Sequence, residues 1–362
     1  MERITIPIKD YFDENPRVRK IMTIVTLVVL LVIMIAAGIY SYSLKGFLDR
    51  TILSLVDGLA LSMLLFLMVS GFFLIFGLCD VINFAHGAFF MLGGFMGFTI
   101  YLGTEGLLLD LGIFGTNYFF LSITCFIVAA LGATAVLAVI GGGIEFFTIR
   151  RLYGNPIAQI LLTVGFMVII TQAAEIIWGS PVLTYFIHTF SQAGEHGYFF
   201  ITGYLDFGGI LVFQSYRIFL IFLGLGIAAL MFIAFKKTRI GLQIQAGIED
   251  SEMVEALGTN IKKLFTVVFM LGAGLAGLSG AVLVPWIGAN TGSGLTYLIY
   301  AFVIVVVGGA HYGRFEGTFF GALIVGFAMK FCAYFIPELQ GVIVFIIMVI
   351  ILIFKPGGLT GR

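Results

Sequence analysis

The sequence predicts an all-α, polytopic transmembrane helical bundle of about ten spans, and three observations carry that prediction. Of its 362 residues, 60% are hydrophobic and 10% are charged, whereas soluble domains carry about a quarter charged residues. The apolar residues run on for about 20 positions at a time, the length a helix needs to cross a bilayer, where a barrel strand would alternate over about ten. Forty-seven glycines suit helices that approach one another closely inside a membrane.

Taken in order, the spans fall at about 21–40, 54–77, 82–103, 118–141, 157–178, 216–235, 263–284, 296–310, 317–335 and 339–354. Residues 1–20 set Arg17, Arg19 and Lys20 against the first apolar run, as a cytoplasmic flank does. That run is long enough to span and lacks the short core and cleavage site of a signal peptide, so it is expected to be retained. With the N-terminus inside, fifteen of the 19 Lys and Arg residues fall on cytoplasmic segments. Lys45, Arg50 and Arg217 fall outside, and Lys330 falls within a span. The positive-inside rule therefore places both termini and the polar stretch Ile240–Lys263 in the cytoplasm. Residues 1–50 form an N-terminal cytoplasmic segment with an extra helix. Residues 51–362 form the main transmembrane domain, with an external loop at 179–215 and a cytoplasmic helix within 245–258. In the external loop, FFITGYLDFGGILVF alternates apolar and turn residues as a short hairpin would, and this loop is the candidate docking surface.

The polar stretch is the longest interior run a membrane could not hold. Asp250 or Ser251 can cap a short helix, Glu252 favours its first turn, and Gly258 can end it in a left-handed conformation. Met253, Ala256 and Leu257 then share one apolar face on a helix too short to be stable alone. Its partner is either the protein's own inner surface or a soluble protein.

Few residues in the spans could carry chemistry. Asn83 and His86 lie within one turn of each other, followed by Gly87, Gly93, Gly94 and Gly97. They either line a pathway or bond a neighbouring helix, and the second is the simpler reading. Gly93 and Gly97 form one small-residue pair, and Gly272, Ala276 and Gly280 form another stripe. Glu145 is five residues before Arg150, while Glu175 and Lys330 fall toward outer ends where they can reach water or each other. Gly277-Leu278-Ser279-Gly280 and Ala310-His311 resemble pieces of rhomboid intramembrane proteases. On straight helices, however, Ser279 and His311 would lie about 20 Å apart, too far for a nucleophile and its base. Cys79, Cys125 and Cys332 lack metal or redox spacing, and zero net charge points to no nucleic acid and no polyanion. The sequence holds no Walker A motif, dinucleotide fingerprint, HExxH or metal-ligand cluster. Uphill transport would therefore draw on an ion gradient or on a separate ATP-hydrolysing subunit.

Three stretches, LCDVINFAHGAFFMLGGFMGF, AGIEDSEMVEALGTNIKKLFTVVFMLGAGLAGLSGAVL and VVVGGAHYGRFEGTFFGAL, resemble in that order the permease subunits of branched-chain amino acid ABC importers, most closely the LivH type. The resemblance runs from about residue 55 to the C-terminus and does not cover residues 1–50. It implies a bacterial inner-membrane permease that pairs with a second, related permease and contacts membrane lipid. Such a permease sits on two cytoplasmic ATPases and receives solute from a periplasmic binding protein. It does no chemistry on the solute and holds no cofactor, ATP and Mg being bound by the ATPases. In such permeases the cytoplasmic helix couples to the ATPase, and Glu249, Asp250, Met253, Val254, Glu255, Ala256, Leu257 and Gly258 match that position. Asn83, His86 and Thr163 are weaker candidates for the translocation pathway. The competing readings are an ion-coupled carrier or channel and, more remotely, a rhomboid-like protease using Ser279 and His311.

Overall fold

The computed structural model describes residues 44–79, 83–112, 118–183, 204–206, 212–249, 251–309, 315–355 and 357–359. The expected first span at 21–40, Asp250 and His311 lie outside the described residues. The described helices are α1 Leu44–Cys79, α2 Ala85–Asp110, α3 Tyr118–Phe147, α4 Pro156–Trp178, α5 Ser215–Lys237 and α6 Arg239–Glu249. They continue with α7 Ser251–Ala256, α8 Ile261–Ile287, α9 Ser293–Gly308, α10 Phe315–Phe335 and α11 Ile343–Phe354. The architecture is an all-α bundle. Its one sheet among the described residues is the antiparallel pair β1 Tyr204–Asp206 and β2 Val212–Gln214, with Leu205 opposite Phe213.

Seven of these helices are long and apolar enough to cross a membrane, and α9 and α11 are shorter apolar helices. The expected eighth and tenth spans are thus 16 and 12 residues long, about 24 and 18 Å of helix, where the hydrocarbon core is about 30 Å thick. For α9 the reason is visible. The chain leaves α8 at Gly288 (φ 87°), runs back past Gly94 of α2, and starts α9 where Gly294 meets Gly87. Helix α9 therefore begins inside the bundle.

Helix α8 is the centre, packed against α1, α2 and α3, while α10 packs against α1. The apolar window of α1 is 89% buried and that of α8 is 72% buried. Those of α4 and α5 are 11% and 22% buried and so leave most of their surface to the surroundings. Apolar side chains gain little from leaving lipid for one another, so close backbone packing must hold such helices together. The small residues of α8 do this on three sides: Gly272 meets Gly71 of α1, Gly277 meets Gly93 of α2 and Leu137 of α3, and Gly280 meets the Phe90 carbonyl of α2. Side-chain bonds add fixed points between elements. The Tyr216 hydroxyl donates to the Val282 carbonyl at 2.7 Å, and Trp178 Nε1 donates to Thr99 Oγ1 at 2.8 Å.

A methyl group at Gly280 would overlap the Phe90 carbonyl, whereas one at Gly165 would meet nothing within 4 Å. Gly280→Leu is therefore expected to cost at least the 1–3 kcal/mol typical of overpacking (about 2 kcal/mol or more) and to lower the detergent-solution Tm or abolish folding. Gly165→Ala should be neutral or stabilising by up to about 1 kcal/mol in the same thermal-unfolding measurement.

Candidate functional site

The interior polar residues converge where α2 begins. Asn83 and His86 are fully buried, and so is Thr163 of α4. Asn83 Oδ1 accepts from the Ala85 N–H at 3.1 Å, and Thr163 Oγ1 accepts from the Phe84 N–H at 3.2 Å, so the first turn of α2 is capped from its own chain and from α4. His86 Nε2 lies 3.0 Å from the Met68 carbonyl of α1. A carbonyl only accepts, so Nε2 carries the proton and Nδ1 keeps a lone pair. His86 Nδ1 and Asn83 Nδ2 are buried with no hydrogen-bond partner. His86 lies beside the Gly71–Gly272 contact, eleven residues along α8, about 16 Å from its start. The N-termini of α2 and α9 thus both lie within the bundle. Between them is a cavity of about 270 Å³ lined by Phe72, Asn83, Phe84, Ile160, Leu295, Leu298, Ile299 and Phe302. The three residues singled out in the sequence share one location, with α9 as its unforeseen wall.

Two charged clusters lie on either side of this centre. Glu145 is fully buried and takes Arg150 Nε and Nη2, each at 3.1 Å, the Tyr153 hydroxyl at 3.0 Å and the Thr266 hydroxyl at 2.7 Å. Arg150 also donates to the Lys262 carbonyl at 3.1 Å, which ties the end of α3 to the start of α8. At the other end, Asp57 of α1, also buried, pairs with Arg217 of α5 and accepts from the Tyr334 hydroxyl of α10 at 2.8 Å. Asp57 was not singled out from the sequence, although it lies inside the span expected at 54–77 and meets the criterion that flagged Glu145. Glu175 and Lys330 do not pair. Glu175 bonds Gln172 at 3.3 Å and Ser180 at 3.1 Å, and the Lys330 ammonium sits 4.7 Å from the centre of the Trp286 ring. The Ser279 hydroxyl is buried and donates to the Ala276 carbonyl of its own helix at 3.0 Å, the bond of a packing residue and not of a nucleophile. Cys125 and Cys332 are buried free thiols. Among the described residues no three His, Cys, Asp or Glu side chains gather as a metal site.

The polar stretch holds two helices where the sequence suggested one. In α6, Gly241 and Ile244 are buried while Leu242 and Gln243 are exposed, and Gly241 lies against the Ala234 carbonyl of α5. Helix α7 follows, and its turn closes with Gly258 at φ 89°, the Gly258 N–H donating to the Glu255 carbonyl at 2.9 Å and the Thr259 N–H to the Val254 carbonyl at 3.2 Å. Val254 is 6% exposed and joins the core, so it does not share the face of Met253 (58% exposed) and Leu257 (79% exposed). Glu255, Ala256 and Gly258 are exposed as well. The side chain of Glu249 lies outside the described residues. Asn260 Oδ1 then caps α8 by accepting from the Lys263 N–H at 3.0 Å.

Long apolar helices closed around α8 define a multi-pass membrane protein. Residues 54–352 match the family described as branched-chain amino acid transport system / permease component, and the chain belongs to that family. It is similar to the high-affinity branched-chain amino acid transport system permease protein BraD of Pseudomonas aeruginosa, with 28% identity over 317 residues, 85% of this chain and 95% of the relative. LivH of Salmonella typhimurium is 25% identical over 311 residues, 84% of this chain and 94% of its own. A probable branched-chain amino acid transport permease protein LivH of Methanocaldococcus jannaschii is 24% identical over 313 residues, 83% and 89% of the two chains. No solved structure matches the chain significantly. The protein is a transport permease of the inner membrane.

Arg150→Ala would strand the buried Glu145 carboxylate, and removing one partner of such a pair typically costs about 3–5 kcal/mol. Thermal unfolding should register a loss of about 3 kcal/mol, and adding Glu145→Gln should recover more than half of it. An unchanged Tm in the single variant would show that the cluster does not anchor α8.

Proposed function

We propose that this chain is the membrane permease subunit of an ATP-driven importer for branched-chain amino acids or a related small solute. Energy reaches it through the α7 turn. The observation that carries this reading is the contrast within α7: Val254 is anchored in the core while Met253 and Leu257, 58% and 79% exposed, stand out from a turn fixed by Gly258. Exposed large apolar groups on a polar segment mark a surface that another protein covers. The acidic residues Glu249, Asp250 and Glu255 would meet basic groups at the rim of a groove in the ATPase, with Ala256 letting the backbone approach. The family match and the names of the relatives support the solute class.

On this reading both termini and α6–α7 face the cytoplasm. A second, related permease completes the pathway, two ATPases bind ATP and Mg, and a periplasmic binding protein delivers solute, with the loop at 179–215 as its docking surface. The chain itself does no chemistry and holds no cofactor. Nucleotide-driven closure of the ATPases would push α7, and through the Asn260 cap α8, so that the bundle changes between two packings.

Leu257→Arg and Met253→Glu should each leave the chain folded, since exposed substitutions usually change stability by less than about 0.5 kcal/mol. Each should lower co-purification of the ATPase subunits and ATP-dependent leucine uptake by at least tenfold. If both variants assemble and import like the parent chain, α7 does not couple.

A further inference from the structure

Helices α5 and α10 both pack on α1 but scarcely on each other. Polar contacts join them near both ends: Arg217 of α5 and Tyr334 of α10 meet at Asp57, and Lys236 of α5 bonds Glu316 of α10 at 3.2 Å. Between these points is a slot of about 440 Å³, lined by Leu225, Ala229, Phe232 and Ile233 on one side and by Phe319 and Phe320 on the other. Its floor is closed by Phe66 of α1, whose ring lies 5.1 Å from that of Phe319, and by Phe235 stacked on Phe315 at 5.5 Å between ring centres. From Leu225 to Ile233 the slot follows about 12 Å of helix, most of one leaflet of a hydrocarbon core about 30 Å thick. Spread over that length, its volume gives a cross-section of about 37 Å², less than half the ~80 Å² of a helix 10 Å across. A hydrocarbon chain fits such a slot and a helix body does not. The stripe of α5 that lines it runs on into charge, because Lys236 and Lys237 follow Phe232 and Ile233 by one turn on the same face. The Lys236 ammonium lies 4.2 Å from the centre of the Phe232 ring and is held by Glu316, whereas Lys237 is exposed and makes no ion pair among the described residues. Helix α10 begins at Phe315, so the positive end of its dipole lies at the same mouth.

We infer that this slot holds an acyl chain of an anionic phospholipid whose phosphate sits at Lys237. The chain lies along Ala229, where the small side chain leaves room, and between Phe232 and Phe320. Glu316 neutralises Lys236 and leaves Lys237 as the cation that faces the headgroup. A zwitterionic headgroup would bring its own cation toward Lys237 and gain less there. Basic residues at the mouth of a gap between membrane helices are the setting in which anionic headgroups are held. The lipid thereby fills the middle of an interface that the protein closes only near its ends, and it clamps α10 to α5. The inference goes beyond the imported solute and the coupling through α7. It takes from the proposed function only the cytoplasmic side of the α5 end, which places the lipid in the inner leaflet.

The test is native mass spectrometry of the full-length chain released from vesicles made of phosphatidylglycerol and phosphatidylcholine in equal parts. The parent chain should retain phosphatidylglycerol in preference to phosphatidylcholine. Lys237→Gln, an exposed substitution that leaves the fold intact, should lower the retained phosphatidylglycerol about fivefold, the weight of one lysine facing an anionic lipid surface. Lys263→Gln, equally exposed at the start of α8, should leave it unchanged. Ala229→Trp fills the slot from an exposed position and should expel the lipid with Lys237 still in place. Parent-level retention of phosphatidylglycerol in either Lys237→Gln or Ala229→Trp overturns the site, and so does an equal loss in Lys263→Gln. The rival occupant is a second copy of the chain. Cross-linking of Ile233→Cys chains to one another through that residue in the same vesicles would overturn lipid as the occupant.

Discussion

The rest of the structure depends on the approach of glycine backbones along α8. Inside lipid, apolar side chains gain little by leaving one environment for the other, so a helix acquires fixed neighbours only where its surface lets atoms come close over a long line. Gly272, Gly277 and Gly280 provide that line toward α1, α2 and α3, and the window of α8 is accordingly among the more buried in the bundle. Because interlocked backbones resist small sliding, displacing one end of α8 moves the helix as a body and does not simply bend its tip.

The clusters at the two ends of the bundle make that body definite. Glu145 has its oxygens filled by Arg150, Tyr153 and Thr266, and Asp57 has its oxygens filled by Arg217 and Tyr334. A half-satisfied charge in low dielectric would be costly; Glu145 accepts two bonds at each oxygen and Asp57 one at each, so both carboxylates act as joints, although Arg217 Nε stays unpaired. One joint binds the start of α8 to α3, next to the Asn260 cap and the α7 turn. The other binds α1, α5 and α10. Motion is then left to the interfaces without such joints, and α4, with low burial and no part in either joint, is the element that can move at least cost.

What could be read from the sequence follows the range of the physics involved. Continuous apolar runs are local, so α4, α5, α8 and α10 were foreseen nearly to their ends, while α1 starts ten residues before its expected span and α2 and α3 run seven and six residues past theirs. The left-handed Gly258 and the Glu145–Arg150 pair are local too, within one or two turns. That Gly93 meets Gly277, and not a neighbour in sequence, is a tertiary fact that no small-residue stripe states. A rule based on span length assumes that helices end at the membrane surface, so it could not show α9 starting beside Gly87. Glu175 and Lys330 share a depth but not a direction, and depth is all that hydropathy reports. Helix α6 was missed although Ile240, Ile244 and Ile248 repeat at every fourth position, because the charges that follow drew the stretch into one short helix.

The pairing of Asn83 with His86 shows why a bundle so tightly locked must still contain a weak place. The sequence suggested that both bond a neighbouring helix; His86 does so at the Met68 carbonyl, whereas Asn83 bonds the Ala85 N–H of its own helix, and in each the other atom stays unfilled. Two unpaired groups, at about 1–3 kcal/mol each, are a large share of the 5–15 kcal/mol that typically separates folded from unfolded chains. Packing around Gly71 and Gly272 is tight enough to hold that cost in one conformation. The unpaired groups narrow the free-energy gap to any arrangement in which water reaches the two atoms. A transport pathway needs two arrangements of nearly equal free energy. An unfilled donor and acceptor near the starts of α2 and α9 within the bundle offset part of the cost of opening there.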